Sequence, residues 1–435
     1  MEQAASFDAL GLDPVLLRAV KSAGFTIPTP IQSAAIPAVL AGRDVIGTAQ
    51  TGSGKTLAFV LPILHRLLGV PPGRTRALVL APTRELANQI ETTLAEFARS
   101  TRVRGVAVYG GVGMRPQEDA LRRGVDVVVA TPGRLLDHME RRNVDFRELQ
   151  VLILDEADRM LDMGFLPDVR RIVSTLPRHR QTLLFSATMP PQIVDLSRNL
   201  MHDPVRLSVS PPDRPPASIR HEVFPVPQHL KTALLLRLLG REDMMSVLIF
   251  VRTKRRVDRV CRQLEQAGFR AGRIHGDRSQ AQREQALGAF RNGRERFLVA
   301  TDVAARGIDV AGISHVINYD VPMVPLDYIH RVGRTARADA PGEAITLMAP
   351  EEGHDFHSIE KVLGEPIPIV SLQDFDYHAP APPRERGGDR DRPMGRGGGR
   401  RGPPSRRQPF RGGGRRESSD RGEGRRSSRP YYGRR

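Results

Sequence analysis

Short apolar runs rich in Val, Ile and Leu recur at residues 76–81, 104–109, 126–130, 151–154 and 182–186, with helix-like stretches between them. Runs of that length separated by helical patterns predict βα units on a largely parallel sheet. Upstream, Asp13 and Pro14 predict a helix start, an acidic cap followed by a proline in the first turn. Leu16, Leu17 and Val20 supply its apolar face, and Gly24 ends it. A shorter run at 44–47 precedes a glycine-rich turn and then an amphipathic stretch at 57–68. The pattern breaks between Ser208 and Ser218, where four prolines exclude a helix interior or a central strand. It resumes with candidate strands at 246–251, 270–274, 296–300, 315–319 and 343–348, and clear helices at 255–268 and 280–292. The expectation is an α/β protein with two tandem parallel-sheet domains, residues 1–207 and 219–375, joined by a Pro-rich linker at 208–218.

Composition changes the picture at one end. Residues 381–435 hold 18 Arg, no Lys and 6 acids, and so carry +12 of the chain's formal +17. Arg-Gly repeats with Pro, Ser and almost no aliphatic residues cannot supply a packed core, so 376–435 reads as a disordered basic tail. Nucleic acid is the partner such a charge favours. The single cysteine, Cys261, excludes an intramolecular disulfide or a cysteine metal cluster and reads as a core residue on the helix after Thr253. Neither a signal peptide nor a run of 18 apolar residues is evident, so a cytoplasmic protein with no membrane partner is expected.

Three constellations carry chemistry. In Ala49-Gln50-Thr51-Gly52-Ser53-Gly54-Lys55-Thr56, strand, glycine-rich turn and helix follow one another as a phosphate-binding loop requires. Gly52 and Gly54 let backbone N–H groups converge on phosphate oxygens around Ser53; Lys55 reaches the β- and γ-phosphates, and the Thr56 hydroxyl can hold Mg²⁺. Alone, the alternative is a helix-start turn whose lysine faces solvent. The second constellation, Asp155-Glu156-Ala157-Asp158, ends the run 151–154, where carboxylates lie beside a phosphate crevice. There Asp155 can hold Mg²⁺, and Glu156 can orient or deprotonate a water. Ser186 and Thr188, after the next strand, can hydrogen-bond to that turn. The third is 330–337: if helical, it puts Arg334 and Arg337 on one face, able to reach a γ-phosphate from the other domain.

On these residues the chain resembles a DEAD-box RNA helicase of superfamily two, over nearly all of 7–370. The resemblance implies two RecA-like domains and the cofactors ATP and Mg²⁺. It gives Gln32, in a segment that also contains Phe25, the role of reading adenine, with Phe7 upstream packing on the base. Asp309 would meet the ribose, and Lys55, Thr56, Asp155, Glu156, Arg334 and Arg337 would take the roles above. Asp158, Ser186, Thr188 and His330 would couple the ATP state to domain closure. RNA-backbone positions implied by the same resemblance include Arg84, Gly111, Thr131, Arg134, Gly276, Gln280, Arg283 and Thr301. The run 159–165 and the basic Gly-rich tail resemble the bacterial branch tied to ribosome assembly and RNA degradation. Ala336 departs from a position usually glycine; in a helix, alanine would suit it. Local strand separation or ribonucleoprotein remodelling is the implied function. The alternative is an RNA clamp or assembly platform with ATPase-timed release.

Overall fold

The computed structural model describes residues 6–49, 52–209, 218–305, 310, 312–336 and 341–381. Asp309, Arg337 and nearly all of the arginine-rich tail lie outside the described residues. The first helix, Pro14–Ser22, forms as its sequence predicts: the Asp13 carboxylate accepts the Val15 N–H at 2.8 Å, and Gly24 follows at φ 82°.

The first sheet contains β1 (Val45–Thr48), β2 (Ala77–Leu80), β3 (Gly105–Val108), β4 (Val127–Ala130), β5 (Val151–Leu154), β6 (Gln181–Ser186) and β7 (Val205–Ser208). They run parallel in the order β3-β4-β2-β5-β6-β1-β7. β2, β4 and β5 are buried along their whole length, which is why they read as unbroken apolar runs. Alternation within them divides two cores: Val79 and Ile153 join Ile36 and Phe59 on one face, while Leu78 and Leu152 join Val169 and Ile172 on the other.

A second parallel sheet is built from β8 (Ile219–Pro225), β9 (Val247–Phe250), β10 (Ala271–Ile274), β11 (Phe297–Ala300), β12 (His315–Asn318) and β13 (Gly342–Met348). Its order is β10-β11-β9-β12-β13-β8. Cys261 is buried in this domain's core on the helix Lys254–Gln266, capped by Thr253.

Three features differ from the sequence expectation. β7 and β8 flank the proline-rich segment and show no unbroken apolar run because both are sheet edges with mixed burial, only Leu207 being buried in β7. Packed chain also continues past the change in composition: the Tyr377 hydroxyl accepts the Leu372 N–H at 3.0 Å, and the Ala379 carbonyl bonds His229 Nε2 at 2.9 Å. The predicted helix through 330–337 instead ends at Val332, where the Gly333 N–H caps the Ile329 and Arg331 carbonyls. Ala336 then adopts φ 54°, a left-handed conformation that explains why glycine suits this position.

Candidate nucleotide cleft and nucleic-acid surface

Parallel strands place the chain that follows β1, β2, β4, β5 and β6 along one edge of the first sheet, and the predicted chemistry gathers there. Gly52 and Gly54 have φ of 85° and 91°. Lys55 opens the helix Lys55–Leu67, is 6% exposed, and donates from Nζ to the Ala49 carbonyl at 2.7 Å. Ser53 and Thr56 are half-buried beside it. Gly54 is required for a second reason, since a β-carbon there would lie 2.6 Å from Gln32 Nε2 and 2.8 Å from Thr29 Oγ1.

Gln32 fastens this loop to the segment before it. Its Oε1 accepts the Thr29 N–H at 2.9 Å and its Nε2 donates to the Gly54 carbonyl at 3.1 Å. The amide is thus bonded at both ends within the protein, although each carbonyl oxygen retains a second lone pair. A cleft of about 340 Å³ opens here, with Gln32, the phosphate loop, Asp155, Glu156 and Arg334 in its wall. Phe25 and Phe97 form its apolar end, their ring centroids 6.2 Å apart. Phe7, expected on the base, does not line the cleft. It is 2% exposed in the core, on a short 3₁₀ turn capped by the Ser6 hydroxyl, and Phe25 and Phe97 are the aromatics in the wall.

The acidic turn is deeply buried. Burial pushes the Asp155 carboxyl up to about 7, with Lys55 drawing it down and Glu156 pushing it further up. Glu156 adopts φ 52° as it caps the short helix Ala157–Asp162, a conformation costing a non-glycine residue about 1–2 kcal/mol. Burial alone would raise its carboxyl; ion pairing with Arg159 and the charges of Arg334 and Lys55 outweigh that and hold it at about 2. Arg159 was not assigned a catalytic part from sequence, yet its i,i+3 spacing from Glu156 is the signal for this contact.

Asp158 is a hub. Its Oδ2 accepts the Ala187 and Thr188 N–H groups at 3.1 and 2.8 Å and the Thr188 hydroxyl at 3.1 Å, while its own N–H donates to Ser186 Oγ at 3.1 Å. From the second domain, His330 feels the same carboxylate: burial lowers the imidazole pKa, and Asp158 is the largest opposing influence. Arg334 is 5% exposed in the cleft wall.

The expected RNA positions divide into two groups. Arg84 opens the helix Arg84–Ala98, and Gly111, at φ 82°, packs where any β-carbon would collide with the Arg84 guanidinium. Thr131 precedes the helix Pro132–Glu140, Gly276 is exposed, and Thr301 is half-buried at the end of β11. Arg134 instead holds a loop together, donating from both terminal nitrogens to the Val112 carbonyl at 3.2 Å. Gln280 and Arg283 turn toward the first domain: Arg283 Nη2 lies 2.9 Å and Gln280 Nε2 3.5 Å from Glu85 Oε1. The cross-domain part played by Glu85 was invisible in the sequence, where its neighbours suggested only RNA contact.

Residues 29–196 match the family model described as DEAD/DEAH box helicase, and residues 230–339 match the helicase conserved C-terminal domain. The chain is 43% identical over 397 residues to the DEAD-box ATP-dependent RNA helicase 20 of Arabidopsis thaliana, covering 89% of this chain and 79% of that protein. It is 44% identical over 346 residues to the ATP-dependent RNA helicase CshA of Listeria monocytogenes, covering 80% and 66%. Among solved structures, S. cerevisiae Dbp5 bound to RNA and ADP BeF3 aligns with a TM-score of 0.77 at 32% identity, over 84% of this chain and 96% of that one.

Proposed function

We propose, since this chain belongs to the DEAD-box family of ATP-dependent RNA helicases, that it opens short RNA duplexes or remodels RNA–protein complexes by closing two domains around ATP and one RNA strand. The observation that carries this reading is the composite cleft: Lys55 and Glu156 from the first domain share its wall with Arg334 from the second. ATP hydrolysis is then possible only in the closed form, which links the chemistry to the grip on RNA.

The residues present fit ATP. The Lys55 ammonium, now on the Ala49 carbonyl, is the natural partner of β- and γ-phosphate oxygens, and the glycine turn beside it offers backbone N–H donors. Thr56 and Asp155 fit Mg²⁺, which would neutralise phosphate charge. Phe25 offers its ring to the base, with Gln32 at the same end of the cleft. Arg334 stabilises the charge that develops on the transferred phosphoryl group. A carboxylate held at about 2 is a weak base, so Glu156 acts chiefly by accepting a hydrogen bond that orients the attacking water. Asp158 links this turn to Ser186, Thr188 and His330 and so relays closure. Asp309 and Arg337 complete the nucleotide site in this proposal.

RNA is gripped by its backbone. Arg84, Gly111, Thr131, Arg134, Gly276, Gln280, Arg283 and Thr301 form or support that surface, and A-form RNA presents phosphates and 2′-hydroxyls to it with little sequence information. Bending one strand there excludes its partner. The finer placement, in a bacterial branch concerned with ribosome assembly or RNA degradation, rests on the run 159–165 and the Arg-Gly tail. We assign the two domains to 1–207 and 219–375, the packed chain of the second running on through Ala379, with tail arginines adding phosphate contacts. No helix among the described residues is long and apolar enough to cross a membrane, and the proposed location is the cytoplasm.

The test is ATP turnover with no nucleic acid, total RNA and DNA, followed by separation of a labelled short RNA duplex. Stimulation by RNA together with ATP-dependent separation supports the proposal. RNA-stimulated turnover without separation favours the clamp, and unstimulated turnover removes both readings.

A further inference from the structure

Three side chains of the second domain converge outside the nucleotide cleft. Asp243 lies between the helix Lys231–Leu239 and β9, His315 opens β12, and Glu343 lies opposite His315 on β13. One nitrogen or oxygen from each lies within 4.8 Å of the others. A single hydroxyl fixes the imidazole. Ser314 Oγ accepts the Ser246 N–H at 3.0 Å and lies 3.0 Å from the Ser246 carbonyl. It also lies 2.9 Å from His315 Nδ1, a hydrogen bond that holds the ring with Nε2 turned toward Glu343.

The His315 side chain is 5% exposed, and Nε2 lies 3.3 Å from Glu343 Oε2 without the alignment of a hydrogen bond. Neither atom has a hydrogen-bond partner among the described residues. Nε2 and Oε2 thus face one another at the spacing of two ligands on one cation.

We propose that Asp243, His315 and Glu343 bind a divalent transition-metal ion of the zinc class. In a tetrahedral site the ligand atoms are separated by about 1.6 bond lengths; bonds of about 2.0–2.1 Å give about 3.3 Å, the spacing found between His315 and Glu343. An imidazole with two carboxylates suits Zn²⁺, Co²⁺ or Ni²⁺, whereas Mg²⁺ and Ca²⁺ select oxygen ligands. Asp243 closes the set from the solvent side. Arg241, donating to its carboxylate at 3.2 and 2.5 Å, orients it as an outer partner.

The bound ion braces the catalytic segment. The Ile313 carbonyl, two residues before the ligand His315, accepts the hydroxyl of Thr335 at 2.6 Å, with the Ser314 carbonyl 3.2 Å away, and Thr335 directly follows Arg334. Tying the starts of β12 and β13 to the turn at Asp243 would steady the strand ends against which that arginine segment rests.

The experiment uses the full chain, stripped with a chelator and free of nucleotide and Mg²⁺. Zn²⁺ is titrated against a chromophoric chelator, and Co²⁺ is followed by its visible absorption. Wild type should take up one high-affinity equivalent with a tetrahedral Co²⁺ spectrum, and Zn²⁺ should raise its melting temperature. His315→Gln should weaken that site at least about 100-fold and Glu343→Gln at least about 10-fold, both losing the Co²⁺ band. Asp243→Asn, at a half-exposed position, supplies a third variant should a buried substitution fail to fold. Absence of a stoichiometric site in wild type, or wild-type affinity in the folded variants, overturns the proposal.

Discussion

Asp155 and Glu156 are adjacent, equally buried and titrate in opposite directions, because only Glu156 has a paired arginine. Asp155, raised from an ordinary value of about 3.9, favours the folded state when protonated, and that contribution is lost as pH rises from about 4 through about 7. Without Mg²⁺ and nucleotide, Asp155→Asn should stabilise the protein in urea by on the order of 2 kcal/mol at pH 8 and by much less at pH 5. An equal gain at both pH values would contradict burial as the cause. Glu156→Gln keeps the side chain's shape but removes the carboxylate, so ATP hydrolysis should slow at least about 100-fold while ATP-dependent RNA binding persists. RNA release in ATP at the wild-type rate would refute that separation. These acids were legible in the sequence because they are contiguous and end an apolar run. The Arg134–Val112 bond and the burial of Phe7 were not, since they depend on how distant segments pack.

At the scale of elements, the central strands were readable because burial on both faces makes them apolar throughout, whereas edge strands β7 and β8 carry Arg206, Arg220 and Glu222. The segment after Val332 misled for another reason. Alanine is a strong helix former, but the capping Gly333 and the left-handed backbone at 336 override that local preference. Ala336→Gly should leave ATPase intact and change stability by under about 1 kcal/mol, relief of left-handed strain being partly offset by unfolded-chain entropy. A melting temperature lowered by many degrees would contradict the observed conformation. Gly111→Ala tests the loop against the helix Arg84–Ala98: the added methyl displaces the Arg84 guanidinium. RNA affinity should fall about tenfold, near 1.4 kcal/mol, with RNA-free ATP binding unchanged, as a fluorescent-nucleotide titration would show.

For the whole molecule, the contact that matters most joins residues almost two hundred positions apart. Glu85 and Arg283 have side chains 7% and 11% exposed, so removing one strands a buried charge. Arg283→Met should raise the RNA concentration for half-maximal ATPase about tenfold with kcat little changed, and the swap Glu85→Arg with Arg283→Glu should restore part of it. Additive effects of the two single changes would show that the pair does not couple the domains. Neither residue carries a sequence signal of this pairing; only the folded chain brings them together.

That buried pair also separates two responses to ionic strength. Mobile ions screen charges they can reach, over about 8 Å at physiological salt, and reach this pair poorly. RNA phosphates, by contrast, exchange condensed counterions for arginine, so their hold weakens steeply as salt rises. Added potassium chloride should therefore empty the RNA groove long before it loosens the contact between Glu85 and Arg283. Salt becomes a dial on loading, with closure left nearly where it was.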